Sequence, residues 1–342
     1  MGTHYLEEFA RLAANDSEDL IKSFSGKKIL VTGSTGLVGS TIVRTLLTAN
    51  EFLDARISVV LPVRNIIKAK LLFGEGATYL EWSLGDSLDE CPSADYVVHA
   101  AALTASKDLR YKPVEVIGGT VSGTTAVLNY CRRVGVAGCV YISSMEVYGK
   151  VDGVASEDNL GLVDPTVVRN SYPESKRLSE ALVAAYADEY SVNACSARLA
   201  QTFGAGASRD DTRVFADFAR RAVAGESIVL LTDGSKSNPY LSTRDLPSAV
   251  FTLLVHGEKG QSYNVANEAT YCSIREMAEL VASKFSNGKS SVEFDIDKKK
   301  AAMYPKPTHL ILDTAKIRNL GWRPHDCLED MYASMIRSWN DR

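Results

Sequence analysis

Apolar and polar positions follow two rhythms along this chain. Ile29 to Val31 is a short apolar run ending near glycine, as a buried parallel strand does. Similar short stretches follow at Ile57 to Val63, Tyr79 to Trp82, Asp95 to His99, Val136 to Ile142 and Val192 to Leu199. Between them apolar residues recur three and four apart. Ile42, Val43, Leu46 and Leu47 do so within Ser40 to Leu47, and Val116, Val127, Leu128 and Cys131 within Pro113 to Arg133. A further helix opens at Ser171-Tyr172 and runs to Tyr190. Strands alternating with helices predict a doubly wound parallel sheet, to which Ser262 to Val265 returns.

The remaining pattern is shorter-ranged. Leu6, Phe9, Leu12 and Ala13, then Leu20, Ile21 and Phe24, predict two helical pieces broken around Asn15-Asp16-Ser17 that cover an edge of the fold or a partner subunit. An amphipathic helix is expected after Asp210-Asp211-Thr212-Arg213-Val214, through Val223. Ile228 to Leu231 and Tyr240 to Leu241 read as short strands around the turn at Gly234. Ser273 with Glu276 three residues later is a capping box opening a helix to Phe285. Lys298-Lys299-Lys300 reads as solvated surface.

At 342 residues and 45% hydrophobic, the chain can bury a large core. A net charge of −4 gives no electrostatic reason to expect nucleic acid or an acidic membrane as a partner. The six cysteines have neither C-x-x-C nor paired spacing and the five histidines are isolated, so no metal site is expected and the thiols fit a reducing cytoplasm. No apolar run is long enough to cross a bilayer, and the amino terminus lacks a signal-peptide core. The expectation is a cytoplasmic protein.

Candidate chemistry begins at Gly33, Gly36 and Gly39, between the first strand and the first long helix. A strand feeding a glycine turn feeding a helix aims free N–H groups and a helix dipole at an anion. This G-x-x-G-x-x-G spacing resembles the short-chain dehydrogenase/reductase superfamily. The second strand ends Leu61-Pro62-Val63-Arg64-Asn65, without the acid that would hold an adenosine 2′-hydroxyl. Arg64 suits a 2′-phosphate, which favours NADP over NAD, although Arg64, Lys68 and Lys70 also read as the solvated start of a helix.

A second constellation ends the fifth strand, where open α/β sheets put their ligands: Ser144, Met145 and Glu146. Tyr172 and Lys176, four residues apart, share one face of the following helix. Tyrosine is a poor base because it titrates near ~10. A cation one turn away, with the charge of an oxidised nicotinamide, would favour the phenolate. Ser144 can hydrogen-bond the same substrate oxygen.

With these residues in view the chain resembles the extended short-chain dehydrogenase/reductases of the epimerase/dehydratase family, nearest to the 4,6-dehydratases and UDP-glucuronate decarboxylases. The resemblance runs from Lys27 to Trp339 and includes Gly234, Tyr240 to Asp245 and Leu320-Gly321-Trp322-Arg323-Pro324. It implies an α/β fold, a Rossmann-type sheet with a smaller C-terminal substrate-binding domain. The expected divisions are an N-terminal extension at 1–25, an NAD(P)-binding domain at 26–202 plus 239–267, and a substrate domain at 203–238 plus 268–342. NAD or NADP would lie on Gly33, Ser34, Thr35, Gly36, Leu37, Val38 and Gly39, on Arg64 and Asp86, along Ala100, Ala101 and Ala102, and against Tyr172 and Lys176. A nucleotide-diphosphate sugar would meet Thr104, Met145, Arg169, Gln201, Arg213 and Arg244, with Arg213 on a phosphate. Hydride leaves the sugar's C4 to give a 4-keto intermediate and is later returned, Tyr172 being the base.

The second reaction has several readings. Glu146 could remove the C5 proton that a 4-ketone acidifies. Met145 stands where dehydratases carry an aspartic acid, and it cannot protonate a leaving hydroxyl. Asp164-Pro165, Arg169, Glu174 and Lys176-Arg177 resemble the decarboxylases, in one branch of which an arginine at the place of Arg244 protonates an enolate. Gln201 and Thr120 replace asparagines usual in the family. An NADPH-dependent 4-keto-sugar reductase and a catalytically silent cofactor-sensing protein are the alternatives. The helices Pro113–Arg133 and Tyr172–Tyr190 form the family's usual four-helix dimer face, and a homodimer is expected.

Overall fold

The structure is a computed structural model and describes residues 4–104, 106–296 and 308–340; the run Lys298-Lys299-Lys300 lies outside the described residues. Seven strands form one sheet: β1 Lys28–Thr32, β2 Ser58–Val63, β3 Thr78–Glu81, β4 Tyr96–His99, β5 Gly138–Ser144, β6 Ala194–Leu199 and β7 Ser262–Val265. Every pairing between them is parallel, and the order across the sheet is β7-β6-β5-β4-β1-β2-β3. The chain reverses direction across the sheet between β1 and β4, and a crevice opens there above the strands' carboxyl ends.

Strand residues alternate between two apolar layers, as a sheet covered on both faces requires. Ile29, Val31 and Val98 join helix α1 (Leu37–Phe52) and helix α4 (Asp245–His256) through Ile42, Leu46, Leu246 and Phe251. Leu30 and Val97 turn the other way, onto helix α2 (Pro113–Val134) and helix α3 (Ser171–Tyr190), through Val127, Leu128 and Val183. The Rossmann-type layering expected from the alternation is present.

A third apolar cluster holds the C-terminal part: Phe203, Phe215, Tyr240, Met277, Val281, Tyr332 and Trp339, with the Phe203 and Phe215 rings stacked at 4.5 Å. Beside it the strand Ser237–Ser242 pairs parallel with Gln201–Phe203 and antiparallel with Asn267–Ser273. That strand crosses position 238, where the sequence put a boundary. The capping box of Ser273 and Glu276 is formed on both sides.

The N-terminal residues make helices His4–Asp16 and Glu18–Lys22. They break at Ser17, whose hydroxyl donates to the Ala13 carbonyl at 2.8 Å. The first helix lies against α1 and α4 and also reaches the C-terminal helix Leu328–Asn340.

Candidate functional site

The crevice is a cleft of about 1360 Å³ walled by the ends of β1, β2, β4, β5 and β6 and by the C-terminal part. Its glycine wall is dictated by contact. Gly33 has φ +68°, and a Cβ there would lie 2.5 Å from the Ala100 carbonyl carbon. At Gly39 a Cβ would strike the Gly33 carbonyl and sit 2.7 Å from the Gly33 carbonyl carbon. Gly36 differs: a Cβ there would meet only the Gly33 oxygen, at 3.4 Å, so its missing side chain leaves the cleft open to the backbone at the start of α1. The Ser34 hydroxyl is buried with no partner among the described residues. An open backbone at a helix start and an orphaned buried hydroxyl are the features a dinucleotide's pyrophosphate would satisfy. The residues fit such a group.

Gly33, Ser34, Thr35, Gly36, Leu37, Val38, Gly39, Arg64, Ala100, Ala101 and Ala102 all line the cleft. Asp86 does not. Its carboxylate accepts the Ser83 N–H at 2.9 Å and closes a local turn, and Trp82 and Leu84 face the cleft in its stead.

At the end of β5, Ser144 caps a short 3-10 turn at Met145–Tyr148, accepting the Glu146 N–H at 3.2 Å. Tyr172 and Lys176 are buried on the first turns of α3 and line the cleft with Ser144. The sequence argument had the Lys176 charge, together with that of an oxidised nicotinamide, drawing down the phenol's pKa. Burial acts the other way. Desolvation, with the Glu146 carboxylate second, pushes Tyr172 up, against Ser144, Arg169 and Arg213. Lys176 is itself lowered to about 7 by desolvation, against the pull of Glu180. Its ammonium donates to the Ile142 carbonyl at 2.7 Å and lies 4.6 Å over the Tyr141 ring.

Thr104, Met145, Gln201 and Arg213 line the cleft. Arg213 also reaches Asp211 at 2.6 Å. Arg169 is in the cleft wall but is paired, at 3.0 Å, with Glu146. Arg244 is outside the lining, a correction to its expected place. It begins α4, and its guanidinium turns to Asp16 at 2.7 Å and Asp326 at 3.1 Å, tying the N-terminal helix to the C-terminal part. Lys236 and Asn238 line the cleft, with Lys150 and Thr308. None of these four was singled out in the sequence. The strand that presents Asn238 pairs with Gln201–Phe203 and Asn267–Ser273, far away in sequence.

Comparison with known proteins gives relatives of several activities. The chain is 26% identical over 313 residues to UDP-glucuronic acid decarboxylase 6 of Arabidopsis thaliana, covering 88% of this chain and 85% of that one. It is 29% identical over 273 residues to dTDP-4-dehydro-6-deoxy-D-allose reductase of Streptomyces bikiniensis, covering 75% and 81%. The solved UDP-glucose 4-epimerase of Thermotoga maritima, with UDP-glucose, superposes with a TM-score of 0.77 at 19% identity over 92% of this chain and 98% of that one. The model of the NAD dependent epimerase/dehydratase family matches residues 29–266, the whole of the sheet and most of the cleft, and the chain belongs to that family.

Proposed function

We propose that this protein is an NAD(P)-dependent nucleotide-sugar enzyme that works through a 4-keto-sugar intermediate. The observation that carries the reading is the convergence of Ser144, Tyr172 and Lys176 on one cleft with the glycine turn. When bound, a nicotinamide dinucleotide would supply the acceptor and donor of hydride. Tyr172 exchanges the proton of the sugar's 4-oxygen, and Ser144, which lines the same cleft, steadies that oxygen. Lys176 holds positive charge beside the phenol and is anchored by the Ile142 carbonyl. Glu146 is the candidate base for C5, with Arg169 holding its carboxylate in place. Arg213 takes a phosphate, and the C-terminal part forms the nucleotide-sugar side of the cleft.

Elimination gives a C5 base a task; decarboxylation, in which C5 loses CO2 and takes up a proton, and simple 4-epimerisation do not. A second reading, an NADPH-dependent 4-keto-sugar reductase, is favoured by one observation. Arg64 and Lys68 both line the cleft at the end of β2, two cations that suit a 2′-phosphate. The test is mass spectrometry of products from UDP-glucose, UDP-glucuronate, dTDP-glucose and a dTDP-4-keto-6-deoxy sugar, without and with added NADPH. Loss of water, loss of CO2 or unchanged mass without added reductant separates three chemistries. Turnover only with consumption of NADPH identifies the reductase. If none of these sugars is altered and none displaces bound cofactor, the reading fails. For quaternary structure we propose a homodimer through α2 and α3, whose Val114, Ile117 and Leu178 are exposed. A monomeric mass in solution would overturn it.

A further inference from the structure

Beneath the cleft a buried imidazole joins the two cofactor loops to the helix carrying Tyr172 and Lys176. His99 ends β4 and shares the face of Val97, and Thr32 ends β1 on the face of Leu30, so both side chains point toward α2 and α3. The His99 Nδ1 lies 2.7 Å from the Thr32 hydroxyl, and its Nε2 lies 3.3 Å from the Thr124 hydroxyl on α2. The Thr32 oxygen also accepts the Ala101 N–H at 3.3 Å, within the stretch against which Gly33 packs. Thr124 is 3.2 Å from Ser179, which is one turn beyond Lys176 on α3. All four side chains are buried.

Counting protons gives this set one direction. A threonine hydroxyl has a single hydrogen. That of Thr124 goes to the Thr120 carbonyl, its shortest contact at 2.8 Å, so Thr124 accepts from Nε2–H. The His99 Nδ1 is then the acceptor of the Thr32 hydroxyl, whose lone pairs are left for the Ala101 N–H. The hydrogen bonds therefore run Ala101 to Thr32 to His99 to Thr124 to Thr120. We propose that His99, held as the Nε2–H tautomer, is a positioning residue: it sets the catalytic helix against the cofactor loops and so places the Tyr172 phenol. Desolvation, and then the nearby Lys176 charge, keep the imidazole neutral by lowering its pKa to about 3, so the tautomer does not lapse at working pH. An offset of about 1 Å between phenol and reacting carbon costs on the order of 100-fold in rate, which is why such a pin matters to turnover.

The proposal rests on Tyr172 being the acid–base residue, and its test has an arm that does not. In 15N NMR of histidine-labelled protein, with His99→Asn assigning the resonance among five histidines, His99 is expected to be a neutral Nε2–H imidazole across the neutral range. The Nδ1–H form or an imidazolium would overturn the assignment. Thr124→Val cuts the link to α2 and leaves Thr32 and Ala101 joined. It is expected to lower kcat about tenfold, roughly 1.4 kcal/mol, on the nucleotide sugar that the product panel shows to be turned over. The Kd for NADPH or NAD, read by fluorescence, should stay unchanged, and Thr124→Ser should restore kcat. Unchanged kcat in Thr124→Val, or a loss of cofactor affinity as large as the loss of kcat, would refute the positioning role. Full activity in Tyr172→Phe would remove the acid–base reading alone and leave the tautomer result standing.

Discussion

Gly36 and Gly39 stand one helical step apart, yet the structure separates the consequences of giving each a methyl group. At Gly39 the new Cβ would be 2.7 Å from the Gly33 carbonyl carbon and 2.8 Å from the Ser34 Cα, both rigid backbone. Overpacking of this kind costs about 1–3 kcal/mol, or more where nothing can move. At roughly 2 °C per kcal/mol for a chain of this size, Gly39→Ala should lower Tm by about 2–6 °C. Gly36→Ala meets only the Gly33 oxygen at 3.4 Å, with φ −87° that alanine adopts freely. The entropy gained from a stiffer unfolded chain, about 0.4–1 kcal/mol, offsets a similar loss at the helix cap. Its Tm should match the wild type. Its methyl group, however, projects where a phosphate must approach the backbone, so cofactor affinity should fall at least tenfold. The assays are differential scanning fluorimetry without cofactor and fluorescence titration with NADPH and NAD. A Gly36→Ala protein with lowered Tm and normal affinity would refute the assignment of this glycine to the ligand rather than to packing.

Other expectations follow from the same geometry. Arg244→Met leaves the buried Asp326 and the half-buried Asp16 without their shared cation, so stability should drop by about 1–3 kcal/mol in urea with kcat unchanged; a lowered kcat with intact stability would return Arg244 to the substrate. Glu146→Gln should abolish elimination and spare epimerisation or ketone reduction, and equal turnover of the two proteins on a substrate losing water removes Glu146 from the mechanism as C5 base. Lys176 has a folded pKa of about 7 against 10.5 unfolded, so between those values the unfolded chain holds more of this proton and stability rises with pH. Urea midpoints at about pH 7 and about pH 9 should rise in the wild type, and Lys176→Met should lose that part of the rise. Arg64→Ala should weaken NADPH binding and leave NADH unaffected, whereas equal effects on both would mean that Arg64 is solvated surface.

The sheet and the glycine turn were legible because their signals are local. A strand, three glycines and a helix follow one another within a few residues, and Tyr172 and Lys176 meet by helical spacing alone. Boundaries moved by a few residues: α1 starts at Leu37, at the turn itself, and β5 runs to Ser144. Two side chains lie outside the cleft because other groups take them, distant in sequence for Arg244 and adjacent for Asp86. Arg244 stands just past a strand whose Asn238 faces the cleft, but the chain turns into α4 there and sends the guanidinium to Asp16 and Asp326. Asp86 spends its carboxylate on the adjacent turn. The charge state of the pair on α3 was misjudged for another reason. Spacing tells how near Lys176 is to Tyr172; it says nothing of how much water either has lost.

That last point bears on the direction of the chemistry. Burial pushes the phenol up and the ammonium down, so it opposes the ionised pair that a base requires. Under the proposed function a positively charged nicotinamide would favour the phenolate and a reduced one would not. The same residues would then serve as base or as acid according to the redox state of the cofactor. On that reading the question of product moves to the far side of the sugar. There Met145 offers no proton, and the Glu146 carboxylate is the one acidic group of the 3-10 turn after β5, held by Arg169 at 3.0 Å. Under the proposed function a retained oxidised cofactor would give that carboxylate an acidified C5 proton to remove, and a cofactor consumed in reduced form would leave it to orient Arg169.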